Sequence, residues 1–368
     1  MIYLDFAATS PVYDKILVKV EDLYKNYFYN PSSKYSPAVQ TQKFYDIQRE
    51  RVAEILKVKK DSIIFTASAT ESNNLVLKGL NYKDRQKIVV WALEHKSITA
   101  QFETLKKLGA QIILINNKKG VLEEEDVLDV IDKDTKLVCI MGVNNETGAL
   151  NPIERIAEQI KRYDKDILIM TDIVQAFSKV DINLENVDFA TFSGHKIGGL
   201  RGCAGFYVKD KEKLHPVIEG GGHEFGIRSG TENIIGAYSL AEAARISREK
   251  YREKWDYLTE LKEILVNFCK ENRFLINSPE KSVPYIFNFS TGRLPSEVLI
   301  NYLSGKGIYV SSGSACSRGK TSSVLKTMGL SDIIVNSSIR VSLHPDTKKE
   351  DIEHFCYMVK EGVEKLAL

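Results

Sequence analysis

Lys196 closes the run Ser193, Gly194, His195, Lys196, directly after the apolar stretch Phe189, Ala190, Thr191, Phe192. A lysine in that place stands at the carboxyl end of a strand, where open α/β sheets bind ligands. Its amine can condense with an aldehyde. The Ser193 hydroxyl and the His195 imidazole beside it can bond phosphate oxygens. Upstream, Asp172 closes a second apolar run, residues 167–170. Each signal alone has an ordinary explanation, a surface lysine and a helix-capping aspartate. Together, at two consecutive strand ends, they meet a more particular demand. A Schiff-base lysine and an acid for a pyridine nitrogen are what pyridoxal 5'-phosphate (PLP) requires.

Other segments carry chemistry on the same pattern. Thr66, Ser68, Thr70 and Ser72 lead from an apolar run into a helical one. A helix N-terminus there offers free N–H groups to a phosphate. Glu94, His95 and Lys96 follow a further strand, and Asn144 and Asn145 follow another with amides able to bond a ring hydroxyl or a carboxylate. Residues 220–233 begin with three glycines, which let backbone approach a ligand or a second subunit. Arg340 sits in an apolar run, where it could hold a carboxylate bidentately or form a structural ion pair.

The cysteines are Cys139, Cys203, Cys269, Cys316 and Cys356. None forms a C-x-x-C pair, so zinc and thioredoxin-type chemistry lack support, and no metal site is expected. Cys139 has Leu137, Val138, Ile140 and Met141 around it and needs only a packing role. Cys316 lies among Ser, Gly and Ala residues and is the candidate nucleophile. Gly319, Lys320 and Thr321 do not complete a P-loop, since five residues separate Gly313 from Gly319 where the motif needs about four.

Positioning these residues takes a particular scaffold. Strand-like runs at 62–66, 87–93, 111–115, 137–143, 167–171, 189–192 and 205–208 alternate with helical ones at 71–80, 123–131 and 153–163. Such alternation predicts an α/β fold with a mostly parallel sheet of seven strands and helices on its faces. One long helix over 236–268 is expected to lead into a smaller α+β part, with the first 20 or so residues packing on that part. The domains read as 15–250, large and ligand-binding, and 1–14 with 251–368, small and bearing the Cys316 loop. The 368 residues suffice for two domains, and 43% hydrophobic with 27% charged residues is ordinary for a globular chain. A net charge of +2 gives no case for nucleic acid or an anionic membrane as partner. No signal peptide and no membrane span is read. A sparse, odd set of cysteines suits a reducing compartment, so the expected location is cytoplasmic.

The chain resembles the cysteine desulfurases of the nitrogen-fixation and iron–sulfur-assembly type, within the class V PLP-dependent aminotransferases. The likeness rests on Tyr3 to Thr9, Asn30 to Ser33, Ala69 to Asn73, Glu94 to Lys96, Val143 to Glu146, Ser193 to Lys196, Arg228 to Thr231, Ser311 to Cys316 and Ser338 to Arg340, in the family's order. It implies PLP-dependent transferase fold type I. It also implies roles. Lys196 would hold PLP covalently, and Asp172 would pair with the pyridine nitrogen. Gln175 and Asn145 would lie near the ring hydroxyl, and Asn145 near the substrate. His95 would stack on the ring and move protons. Ala69, Thr70, Ser193 and His195 would hold the phosphate, and Thr231 would reach that of the other subunit of a homodimer. Arg340 would bind the carboxylate of L-cysteine. Cys316 would take the sulfur as a persulfide, leaving L-alanine. The acceptor would be an iron–sulfur scaffold protein or a tRNA-thiolation enzyme. Tyr35 stands where the family often has His, and the segment after Cys316 is shorter than in long-loop members. Two other readings stand beside this one: a selenocysteine lyase on the same scaffold, and a non-catalytic PLP-fold scaffold that binds a sulfur-carrier partner without turnover.

Overall fold

The computed structural model describes residues 1–313 and 321–367. Its strands, in chain order, are β1 (Ile2–Tyr3), β2 (Ile63–Thr66), β3 (Lys87–Trp91), β4 (Gln111–Ile115), β5 (Thr135–Cys139), β6 (Leu168–Asp172), β7 (Phe189–Ser193), β8 (Ala204–Val208), β9 (Leu275–Ile276), β10 (Ile286–Ser290), β11 (Ile308–Tyr309) and β12 (Ser338–Ser342). Seven of them form one sheet in the order β2-β8-β7-β6-β5-β3-β4. Only β8 runs against the others. The central strands β6, β7 and β8 are buried at every position. They read as unbroken apolar or small runs because helices cover both faces of a parallel sheet. The helix Ile153–Tyr163 shows the complement, burying Ile153, Ile156, Ala157 and Ile160 along one stripe.

The parallel strands bring the ends of β2, β3, β5, β6 and β7 to one edge of the sheet. That edge receives every strand-end residue singled out above. His95 is placed slightly differently from the expectation. Strand β3 ends at Trp91, and His95 lies beyond a turn as the N-cap of the short helix Lys96–Thr99.

The expected single long helix is two helices, Ile234–Glu253 and Trp255–Asn272, broken at Lys254. The first packs on the helix Ser36–Leu56 against the large sheet. The second packs on β10 and the C-terminal helix Lys349–Leu366. A straight helix could not present its apolar stripe to both, so the chain bends between them.

The smaller part holds the antiparallel sheet β12-β10-β9, with β1 and β11 paired in parallel beside it. The extreme N-terminus joins this part, since Ser342 donates its N–H to Leu4 O at 2.8 Å. Association of the first 20 residues with it is corrected to the first few. The helix Asp14–Asn26 buries Ile16 and Leu23 and packs on Ile234–Glu253 instead. Residues 5–10 therefore cross the sheet edge between the two parts.

Candidate active site

Asp172 ends β6 and is buried. Its Oδ1 accepts the Val174 N–H at 2.9 Å, and its Oδ2 accepts from Asn73 Nδ2 at 3.2 Å. The same Asn73 nitrogen donates to Ser97 Oγ at 2.7 Å. Ser97 Oγ is 2.8 Å from His95 Nδ1, which also accepts the Ser97 N–H at 3.1 Å. A chain of side chains thus runs from Asp172 through Asn73 and Ser97 to His95. Because Nδ1 accepts a backbone N–H, the neutral ring carries its proton on Nε2. Burial, with Lys196 and Lys96 adding to it, holds the His95 pKa below the ordinary histidine value, although Asp172 pulls the other way. Glu94, next to it, is buried and takes the Met141 N–H on Oε1. Burial and then the Asp172 charge push its carboxyl well above the usual carboxylate range.

Lys196 ends the short helical turn Gly194–Lys196 after β7. Its Nζ donates to Ala7 O and Ala8 O, each at 2.7 Å. Gln175 Nε2 donates to the same Ala7 carbonyl at 2.9 Å, and its Oε1 is buried without a partner. His195 Nδ1 lies 3.2 Å from Thr9 Oγ1. Burial first, then the charges of Lys196, Arg201 and Lys179, lower the His195 pKa to about 4. Ser193 is the buried last residue of β7. Ala69 and Thr70 open the helix Ala69–Gly79, which Ser68 caps by accepting the Glu71 N–H. The helix N-terminus faces the strand ends with Thr70 exposed.

Arg340 lies in β12 and is 1% exposed. Its Nη2 donates to Asp5 Oδ1 at 2.6 Å and its Nη1 to Asn145 O at 2.9 Å, while Nε is buried without a partner. The ion pair weighed as its ordinary role is therefore present, but it leaves a donor unused. Thr231 is exposed, three residues after Arg228, whose Nε bonds Glu71 Oε1 at 2.7 Å. Cys316 lies outside the described residues.

Several groups at this edge were given no role in the sequence reading. The carbonyls of Ala7 and Ala8, the Asp5 carboxylate and the Thr9 hydroxyl arrive from the N-terminal segment. Asn73 and Ser97 bridge Asp172 to His95. A signal for Asn73 existed: a polar residue on the buried stripe of a helix must have partners.

A family model for class-V aminotransferases matches residues 2–355. Cysteine desulfurase IscS of Buchnera aphidicola subsp. Schizaphis graminum is 35% identical, with 99% of this chain and 93% of that protein covered. Cysteine desulfurase IscS of Dictyoglomus turgidum is 31% identical, with 99% and 95% covered. A solved NifS-like protein superposes with a TM-score of 0.93 at 32% identity, covering 99% of this chain and all of that one. The chain belongs to the class-V aminotransferases, among the cysteine desulfurases.

The cofactor of this family is PLP, and the residues present suit it. Gln175 Oε1 and Asn73 Oδ1 are buried at this edge with unused acceptor capacity. Asp172 has a buried carboxylate suited to a ring nitrogen. Lys196 supplies a primary amine held by two carbonyls. The capped helix at Ala69, with Ser193 and His195, offers donors suited to a phosphate. The four described cysteines of this class-V chain are buried. Burial pushes the Cys139 thiol well up and holds Cys203 and Cys356 at about 12, and it raises Cys269 as well. Thiols held so firmly protonated are poor nucleophiles.

Proposed function

We propose that this chain removes sulfur from L-cysteine with PLP, leaving L-alanine and a persulfide on Cys316. The observation that carries the reading is the convergence of Lys196, Asp172 and His95 on one sheet edge while all four described thiols are buried and protonated. PLP bound there draws electrons away from the reacting carbon, so that the substrate C–S bond can break. The protein does the rest. Asp172, fixed by Val174 and Asn73, would hold the ring nitrogen in its protonated form. Lys196 would hold the cofactor through its amine, which the Ala7 and Ala8 carbonyls position. His95, kept neutral by burial, offers Nε2 for proton movement. Arg340 binds the substrate carboxylate with the donor it has to spare. The Cys316 thiolate attacks the substrate sulfur. The S–S bond forms as the C–S bond breaks, the electron pair leaves on carbon, and a proton converts that carbon to the methyl group of alanine.

The large domain is 15–250 and the small one 1–14 with 251–368, a division supported by the helix break at Lys254. The working unit is a homodimer in which Thr231 serves the partner's phosphate. Exposed Leu17, Tyr24, Phe28, Tyr35 and Ile47 on and between the first two helices support a covered face there. The persulfide passes to an acceptor, an iron–sulfur scaffold protein or a tRNA-thiolation enzyme. The four free cysteines among the described residues support a cytoplasmic location. Among the described residues no helix is long and apolar enough to cross a membrane.

The test is Cys316→Ser. The variant keeps the visible Schiff-base band and its response to cysteine, yet loses alanine and persulfide formation. Mass spectrometry of the parent after a cysteine pulse finds one added sulfur on the Cys316 peptide. A fully active Cys316→Ser protein, with sulfur on Cys139, Cys203, Cys269 or Cys356, refutes the assignment.

A further inference from the structure

Residues 220–230 carry no role above, yet the segment is held far more firmly than a connecting loop needs. Glu224 and Phe225 both stand in the left-handed region, at φ +48° and +58°. Consecutive non-glycine residues there are strained and persist only where the surroundings over-determine them. Glu224 supplies that constraint. Its buried carboxylate accepts from Arg49 Nη1 at 2.7 Å, Arg49 Nη2 at 2.8 Å, Tyr45 OH at 2.8 Å and the Phe65 N–H at 2.7 Å. The segment also closes on itself. Ser229 donates its N–H to Ile218 O at 3.1 Å, and the Gly222 and Gly230 N–H groups donate to Ser229 Oγ and His223 Nδ1, each at 3.2 Å. Phe65 lies in β2, from which the chain runs on through Ala67 to the helix Ala69–Gly79. The bend is thus fastened to the strand that leads into the proposed phosphate seat.

A second contact falls on the seat itself. Glu71 stands in the first turn of that helix. Its Oε2 reaches back to accept the Ala67 N–H at 2.8 Å, while Ser68 Oγ accepts the Glu71 N–H at 3.1 Å, an arrangement close to a capping box. Its Oε1 accepts from Arg228 Nε at 2.7 Å, and both side chains are largely buried. A carboxylate suits a helix N-terminus. It is a poor neighbour for a phosphate monoester, which carries about −1.5 to −2 charges at pH 7.

We propose that Arg228 is a positioning residue for the cofactor phosphate: it cancels the Glu71 charge at the helix N-terminus, and the bend anchored by Glu224 fixes it there. The proposal rests on the phosphate seat at Ala69 and Thr70. Glu71 can then hold the turn 67–71 in shape without repelling the anion that the turn's N–H groups attract. Partial burial keeps the pair from being screened by salt as a surface pair would be.

The test titrates the full chain, depleted of PLP, with PLP and separately with pyridoxal, which lacks the phosphate. The visible Schiff-base band is the signal. The parent prefers PLP. Arg228→Ala weakens PLP binding by roughly tenfold, the order expected of one uncompensated charge near the seat, and leaves pyridoxal within about twofold. Arg228→Lys, which keeps the charge, retains most of the PLP affinity. Glu71→Gln binds PLP as tightly as the parent, and the double variant Arg228→Ala/Glu71→Gln recovers most of what Arg228→Ala loses. Equal losses for PLP and pyridoxal in Arg228→Ala overturn the proposal, since a merely structural arginine would spoil both. A double variant as weak as Arg228→Ala overturns it too, because the guanidinium would then serve the phosphate directly and not through Glu71. Should Arg228→Ala fail to fold, Arg228→Gln replaces it in each comparison. Pyridoxal bound as tightly as PLP by the parent defeats the phosphate seat itself, whereas a parental preference that survives intact in Arg228→Ala defeats only the role of Arg228.

Discussion

The two sides of the site are built on different principles. On the cofactor side, Asp172 and Lys196 are the terminal residues of neighbouring strands or the turn just beyond, and a rigid sheet sets their spacing. On the side proposed for the substrate, Arg340 comes from the small sheet and is held by Asp5 from the N-terminus and by the Asn145 carbonyl from the loop after β5. The first side is pre-organised by one sheet, and the second exists only when three distant stretches of chain meet. Changes on the first side should therefore abolish cofactor chemistry outright. Changes on the second should tune substrate affinity and stability together.

The largest expected effect comes from Lys196→Ala. It loses the visible Schiff-base band and turnover by several orders of magnitude, because the anchoring amine is gone. A purified variant that keeps band and activity would break the comparison at its rigid end.

Arg340→Ala should spare the band but raise KM for cysteine on the order of 10²-fold, the effect of leaving a carboxylate without its buried partner. Asp5→Asn sharpens this. It releases the guanidinium from its ion pair, so KM should fall by about threefold while Tm drops, since a buried pair is broken from one side. If KM follows neither change, Arg340 is structural and the carboxylate binds elsewhere.

Asn73→Ala removes the bridge between Asp172 and Ser97 and leaves Ser97 and His95 less constrained. The expected cost is about 1–3 kcal/mol, read as faster PLP loss on dialysis and a lower Tm. Equal PLP retention in parent and variant would show that strand geometry alone holds Asp172.

The smallest effect is a pH dependence of stability at the seam between the two sides. His344 stacks on Phe6 at 5.0 Å and lies 3.3 Å from Tyr13 OH, and burial first, then Lys250 and Lys179 against the pull of Asp346, hold its pKa at about 4. Its folded pKa lies below the unfolded value of about 6.5. The unfolded chain then binds more protons in that window, so stability is full above about pH 6.5 and is lost as pH falls toward 4. His195, also held at about 4, acts in the same direction. Tm should drop between pH 7 and pH 5, and His344→Gln should flatten part of that drop. A Tm profile of identical slope in both proteins would remove His344 from the account.

Much of the cofactor side was legible from local patterns. Apolar runs with a strand's length, each closed by a polar residue, place Asp172, Ser193 and Lys196 at strand ends, because a parallel sheet aligns those ends whatever the loops do. The helix break at Lys254 was not legible, since the apolar periodicity continues across it. Packing on two bodies, not propensity, interrupts that helix.

Sequence by itself determined the fold class, with its mostly parallel sheet, and set Asp172 and Lys196 at strand ends and Cys139 in an apolar run where packing suffices. Tertiary structure alone decided that Lys196 would be held by Ala7 and Ala8, 189 and 188 positions away, and that Arg340 would meet Asp5 across 335. Such pairings leave no local trace, because backbone carbonyls look alike in every sequence and an ion pair between distant residues has no period. They form only once the sheet, the small domain and the N-terminal crossing bury the same polar groups together, where each must find a partner.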